Sequence, residues 1–125
     1  CRVGSIVKDF RDIKAWQKAH DLALRIYRKS EKFPVEERYG LTSQIRRAAV
    51  SISTNIAEGC GRGSDADFAR FVQIALGSAS EVEYLLLLSR DLKLFSSVDY
   101  QELHGNVVEV KRMLTAFVQK LKADR

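Results

Sequence analysis

The chain has 125 residues, of which 46% are hydrophobic and 30% charged, enough for one domain with a single core. It carries 21 Lys and Arg against 16 Asp and Glu, giving a formal net charge of +5 at pH 7. These values exclude disordered, collagen-like and disulfide-scaffold proteins, and no window comes close to the roughly 18 apolar residues of a membrane-spanning helix.

The periodicity of apolar residues predicts helices at residues 13–32 and 41–58. The first has an apolar face opposite a cationic one, and Phe33 and Pro34 end it because the residue before a proline is disfavoured in helical geometry. The second is expected to stop at the glycine-rich segment 59–64, since three glycines in five residues cost too much entropy inside a helix.

Two longer helices are predicted at residues 64–92 and 98–122, with Ser64 and Ser97 as their capping residues. The last turns of the third helix, residues 84–88, are apolar on every side, and the fourth repeats apolar residues at spacings of three and four. Short connections favour antiparallel neighbours. The predicted fold is therefore all-α, an antiparallel up-down-up-down four-helix bundle, forming a single domain over residues 8–122, with residues 1–7 disordered or an extraneous remnant.

Positive charge is concentrated in the first 63 residues, which hold 13 Lys and Arg against 7 Asp and Glu. On the first helix the cations recur along one stripe of about 27 Å, which predicts salt-dependent contacts with the phosphates of RNA or DNA and little sequence preference. A solvated face that keeps the protein soluble is the alternative interpretation. The predicted nucleic-acid-binding residues are Lys14, Lys18, Arg25, Arg28, Lys29, Lys32 and Arg46.

Two further sets of residues are assigned structural roles. Polar residues beside apolar positions on the second and third helices predict a partly buried hydrogen-bonded network of Arg47, Asn55, Glu58 and Glu81. Apolar residues on the far side of the third helix predict a contact between subunits, formed by Ile74, Leu85 and Leu88.

The sequence offers little for catalysis, and no catalytic residue, metal site or cofactor is predicted. His20 lies at the edge of an apolar face, His104 is expected to be exposed, and no phosphate-loop, zinc-protease or paired-cysteine motif occurs. The segment 59–63 is favoured as a hinge over a phosphate-binding loop because it follows a helix rather than a strand. Cys1 and Cys60 make no disulfide framework, which favours a reducing, cytoplasmic setting.

Several segments resemble the 23S rRNA intervening-sequence protein family across residues 8–122. They are DFRDIKAWQKA at 9–19, ERYGLTSQIRRAAVSI at 37–52, NIAEG at 55–59 and ALGSASE at 75–81. This family is similar to the accessory proteins of diversity-generating retroelements. One departure is Ser53, where family members commonly have a proline, so the second helix is expected to be straighter here.

The resemblance implies a small bacterial four-helix bundle that assembles as a pentamer with a basic surface. It also implies binding of nucleic acid and of a reverse transcriptase or other protein, and it brings no catalytic residues. The leading hypothesis is a non-enzymatic homo-oligomer that binds RNA or DNA and no membrane. A protein–protein adaptor that ignores nucleic acid is the alternative, and a hydrolase using Glu58, Glu81 or His20 is the weakest hypothesis.

Overall fold

The computed structural model describes residues 2–3, 6–7 and 9–123, and four helices make up most of this part of the chain. The helices are α1 (Lys14–Ser30), α2 (Leu41–Cys60), α3 (Asp65–Asp91) and α4 (Ser97–Ala123). Single 3-10 turns at Phe10–Asp12 and Val35–Glu37 precede α1 and α2. The all-α, four-helix prediction is confirmed.

Each helix packs against two neighbours, so that α1 and α3 both contact α2 and α4. The ion pairs between α1 and α4 connect increasing residue numbers on α1 with decreasing residue numbers on α4. Between α1 and α4 the pairs are Lys18–Glu109, Arg25–Glu102 and Lys29–Asp99. These pairs make α1 and α4 antiparallel, in agreement with an up-down-up-down bundle.

The amino-terminal segment forms a minimal β ladder in which β1 (Arg2–Val3) pairs with β2 (Ile6–Val7) in antiparallel register. The expectation that residues 1–7 are disordered or an extraneous remnant stays a prediction. Residues 1, 4, 5 and 8 lie outside the described part of the chain, so the domain boundary at residue 8 stays a prediction.

One apolar core lies between the four helices. Its largest side chains with no more than 2% exposure come from every helix, and include Leu22, Ile26, Ile45, Ile52, Ile56, Phe68, Leu86, Leu103 and Leu114. Burial of such side chains is the dominant stabilising term of a bundle. Because each helix turns its hydrophobic face toward this core, its polar side chains lie on the surface and at the edges where two helices meet.

Gly59 lies inside α2 rather than after it, and the helix continues to Cys60. A Cβ atom at Gly59 would lie 2.7 Å from the Cβ of Phe71 and 2.9 Å from the Cδ1 of Phe68. This glycine therefore allows α2 and α3 to approach closely, and the helix ends two residues later than predicted. Cys60 is buried and disulfide-bonded, which differs from the expectation drawn from cysteine usage.

The helix caps agree with the sequence in one case and differ in another. The Oγ of Ser64 accepts a hydrogen bond from the Asp67 amide at 3.1 Å, as predicted for the start of α3. At α4 the cap is Ser96, whose Oγ accepts from the Asp99 amide at 3.0 Å, while Ser97 is the first helical residue. α2 runs without interruption through Ser53, whose hydroxyl donates to the Val50 carbonyl oxygen.

Candidate nucleic-acid interface

The cationic stripe predicted on α1 divides into two rows. One row faces α4 and forms what we call the α1/α4 seam, whose ion pairs are Lys18–Glu109 at 3.6 Å, Arg25–Glu102 at 2.6 Å and Lys29–Asp99 at 3.0 Å between nitrogen and carboxylate oxygen. Arg25 also contacts Asp21 at 2.8 Å. Carboxylates of the same chain therefore neutralise these three cations.

The Lys29–Asp99 pair is held in its charged form. The hydrogen bond between the two side chains raises the pKa of Lys29 above its ordinary value and lowers the pKa of Asp99 below its own. Both shifts move away from neutral pH, so both groups remain ionised there. The pair is a stable feature of the seam rather than a reserve of positive charge for a ligand.

The other row of the stripe is exposed. Lys14, Arg28 and Lys32 form no ion pair with any residue in 9–123. Lys14 is 14 residues from Arg28, or about 21 Å along the helix. Uncompensated charge on α1 is therefore concentrated at its carboxyl-terminal end, which adjoins the start of α2.

Arg46 of α2 is held at this end of the bundle by neutral groups. Its Nε donates to the Oγ of Ser30 at 2.8 Å, and a terminal nitrogen donates to the Tyr27 carbonyl oxygen at 3.1 Å. Its guanidinium also lies over the Tyr27 ring, 4.7 Å from the centroid. Because none of these partners is an anion, the side chain is fixed in place while its charge stays uncompensated.

Three clefts adjoin one another along the first half of α2. The arginine cleft, of about 390 Å³, is lined by Tyr27, Ser43, Arg46, Arg47 and Val50. The tyrosine cleft, of about 490 Å³, is lined by Tyr39, Ser43, Gln44, Arg47, Ala48, Ser51 and Glu81. The third, of about 280 Å³, includes Arg38 and Arg46. The arginine cleft is the one of these three whose lining has no carboxylate.

The predicted polar network is not formed as one unit, and its members are separated among the described residues. Asn55 donates to the Ser51 carbonyl oxygen at 2.8 Å, and Ser51 Oγ lies 2.8 Å from Ser78 Oγ. Glu58 pairs with Arg62 at 3.2 Å, whereas Arg47 and Glu81 are exposed in the tyrosine cleft. The Ser51–Ser78 pair thus joins α2 to α3, and Asn55 supports Ser51 from within α2.

The predicted subunit contact needs a correction at Leu85. This residue is 5% exposed and belongs to the core of the protomer, because α3 packs against both α2 and α4 and so buries a wide arc. Leu88 is half-buried against the core, and Ile74 is 43% exposed. Two exposed residues that the prediction omitted, Tyr84 and Leu87, lie in the all-round apolar run that signalled this surface.

α3 is long and apolar enough to cross a membrane by length and composition, with a mean hydropathy of 1.4 over an 18-residue window. This differs from the expectation that no window is sufficiently apolar. The core helix of a soluble bundle passes the same test, and α3 contacts α2 and α4. Only 39% of that window is buried within the protomer, so α3 leaves apolar surface uncovered.

Both histidines make aromatic contacts. His20 stacks on Trp16 with ring centroids 4.9 Å apart, and His104 stacks on Tyr100 at 5.5 Å. His104 is half-buried rather than exposed as predicted, and its ring is covered in part by Tyr100. Across the described part of the chain, no group of three or more His, Cys, Asp and Glu side chains is arranged to hold a metal ion.

Fold and surface together define a class of protein: an all-α, antiparallel four-helix bundle with uncompensated arginines at one end. The model of the 23S rRNA-intervening sequence protein family matches residues 11–116, and the chain belongs to this family. The family description names no enzymatic activity.

A solved structure supports the same assignment. A protein of unknown function from the S23 ribosomal protein family of Bacteroides thetaiotaomicron superposes with a TM-score of 0.78 at 27% sequence identity. The match covers 84% of this chain and 95% of that chain. No curated protein matches the sequence.

Proposed function

We propose that this chain is a non-enzymatic, homo-oligomeric bundle that binds RNA or DNA through the uncompensated cations at the α1/α2 end. The observation that carries this proposal is the arginine cleft, whose lining among the described residues includes Arg46 and Arg47 and no carboxylate, whereas Glu81 lines the tyrosine cleft that Arg47 also borders. Arg28, Lys32 and Arg38, which lie at the same end of the bundle, also form no ion pair within residues 9–123.

The chemistry of such a surface is neutralisation of phosphates with release of counterions. Affinity should fall steeply as salt rises and depend little on base sequence, because contacts to phosphate position a ligand without reading its bases. This mechanism needs neither a metal nor a cofactor. It also requires no membrane.

The oligomer in this proposal is supported by α3. Three large apolar side chains of α3 are exposed, namely those of Ile74, Tyr84 and Leu87. Only 39% of the apolar 18-residue window of this helix is buried within the protomer. The family resemblance favours a pentamer, in which repetition of one basic end would raise the avidity for a long polyanion. It also favours a reverse transcriptase or another protein as a binding partner of the oligomer.

The test is a titration of a generic RNA hairpin from about 50 to 200 mM salt. We expect binding at low salt that weakens sharply with added salt, and loss of binding in the Arg28→Glu, Lys32→Glu, Arg38→Glu triple variant. Absence of binding at low salt, or affinity that ignores salt, would overturn the proposal. Circular dichroism of the triple variant should show unchanged helicity, since all three side chains are exposed.

The alternative, a protein–protein adaptor without nucleic-acid binding, is favoured by the exposed side chains of Tyr84 and Leu87. It predicts that Tyr84→Ser with Leu87→Ser abolishes capture of a polypeptide while the mass of the assembly in solution stays constant. The oligomer proposal predicts instead that the same double variant shifts the mass toward the 14.2 kDa protomer.

A further inference from the structure

Arg46 is preorganised as a binding group. Its Nε contacts Ser30, a residue only 2% exposed, and the Tyr27 ring covers one face of its guanidinium. These contacts occupy Nε and one terminal nitrogen and leave the other terminal nitrogen without a partner among residues 9–123. An arginine that is already ordered loses less side-chain entropy when it binds a ligand.

Arg46 lacks a carboxylate partner, in contrast to five other arginines within residues 9–123. Five arginines lie within 3.5 Å of a carboxylate oxygen, namely Arg11, Arg25, Arg62, Arg70 and Arg90. Arg46 has no such partner although it is anchored and half-buried, and the adjacent Arg47 has none either. Both arginines line the same cleft, so its potential is positive and favours an anion.

The arginine cleft matches the size and chemistry of a phosphate ester. Its volume of about 390 Å³ lies at the lower end of the range for ligand sites, which suits a single nucleotide unit rather than a protein segment. Guanidinium groups bind phosphate oxygens through paired N–H donors. Ser43, which also lines the cleft, supplies a hydroxyl donor.

Tyr39 adds a feature that points to an unpaired strand. Its side chain is 90% exposed, and it lines the tyrosine cleft, which shares Ser43 and Arg47 with the arginine cleft. An exposed aromatic ring beside a phosphate site can stack on the face of a base, as in proteins that bind single strands. In a duplex the base faces are covered by their neighbours, so such a ring finds no partner there.

We propose that the arginine cleft binds a phosphodiester group of single-stranded nucleic acid, with Tyr39 stacking on a base of the same strand. This inference rests on the proposed function and specifies its ligand class and its site. Arg46 is the anchored phosphate ligand, Arg47 is the exposed one shared by both clefts, and Tyr27 positions Arg46.

Fluorescence anisotropy with a labelled mixed-sequence RNA of about 12 nucleotides tests this assignment, with the same strand in a duplex and inorganic phosphate as competitors. Tyr39→Ala should weaken single-strand binding at least about fivefold, the lower limit for loss of a base–aromatic stack, and leave duplex binding unchanged. Arg47→Gln should weaken binding and reduce the slope of log affinity against log salt by about 0.7.

Arg112→Gln is the matched control, because it removes from α4 one exposed arginine that has no ion pair within residues 9–123. We expect its salt slope to equal that of the wild type. Tyr39 and Arg47 are exposed, so neither substitution threatens the fold, and the thermal midpoint of each variant verifies this. Inorganic phosphate should displace the RNA only weakly, since it engages the arginines but not Tyr39.

Each remaining outcome has a distinct meaning. If the wild type binds no RNA, the proposed function fails. If the wild type binds but Arg47→Gln and Tyr39→Ala bind equally well, the site assignment is overturned while the function stands. If these variants bind RNA normally but change the mass of the assembly, the arginines pair with a second copy, which also overturns the assignment.

Discussion

The two seams beside α1 use the same kinds of cation in opposite ways. At the α1/α4 seam, Lys18, Arg25 and Lys29 each face a carboxylate of α4. Where α1 meets α2, which we call the α1/α2 seam, Arg46 is held by a hydroxyl, a carbonyl oxygen and an aromatic ring, and no carboxylate among residues 9–123 forms an ion pair with it.

This difference shows that a row of cations on one helix does not by itself define a binding surface. A cation whose charge is matched within its own chain must break that pair before it binds a phosphate. A cation anchored by neutral groups keeps its full charge available. The neighbouring helix therefore determines which cations serve the fold and which are available to a ligand.

The largest effect that we predict is a loss of stability when a buried leucine of the core is truncated. Leu22→Ala should lower the free energy of unfolding by about 2–5 kcal/mol, because Leu22 is 0% exposed and its truncation leaves a cavity. Leu24→Ala, on the 43% exposed neighbour, should have little effect. Chemical denaturation measures both, and equal losses would show that α1 is not packed as described.

The comparison is tested directly by removing equal charge from each seam. Arg46→Gln with Arg47→Gln should weaken RNA binding at low salt at least about tenfold, since contacts to phosphate are lost. Lys18→Gln with Arg25→Gln should leave affinity nearly unchanged, because those cations already face carboxylates. Similar losses in both variants would show that only net charge matters.

The α1/α4 seam should contribute a small, salt-sensitive part of the stability. Glu102→Gln removes the carboxylate that accepts from Arg25 at 2.6 Å, so the melting temperature should fall slightly at low salt. In about 1 M salt the difference from the wild type should disappear, because the charges are screened. Glu36→Gln, an exposed residue of the α1–α2 connection, is the control and should show no such salt-dependent difference.

The smallest predicted effect is a pH dependence at Asp99. Lys29 lowers the pKa of Asp99 below its ordinary value of 3.8, so the ionised carboxylate stabilises the fold above that pH. This contribution should be lost as the pH falls through the lowered pKa. Asp99→Asn should therefore be less stable than the wild type at neutral pH, and the two should converge in acid.

Most of the fold could be predicted from the sequence, because apolar periodicity, Pro34 and the Ser64 cap are local signals. Every helix end lies within two residues of its prediction. The extension of α2 through Gly59 could not be predicted, since it depends on the approach of Phe68 and Phe71 from α3. That approach is a tertiary contact without a local signature.

The candidate site was predictable only in part. Arg46 was included in the binding surface from sequence, but Arg47 was assigned to a structural network because its exposure depends on how α2 and α3 meet. Lys18 and Lys29 could not be separated from the free cations because the acids that pair with them are more than 65 residues away along the chain. Arg25 has one such distant partner, Glu102, but its pair with Asp21 is an i,i+4 contact that the sequence could have indicated. The role that we propose for Tyr39 had no periodic signal, since it lies in a connection.

The most direct test of the central claim is to map where a single strand contacts the protein. An RNA of about 12 nucleotides carrying photoreactive uridines would be crosslinked to the wild type and the modified peptides identified by mass spectrometry. The account predicts crosslinks within residues 38–50, with Tyr39 prominent among them, and none on the acids and bases of the α1/α4 seam. Crosslinks concentrated on α4 around Glu102 and Glu109 would contradict it.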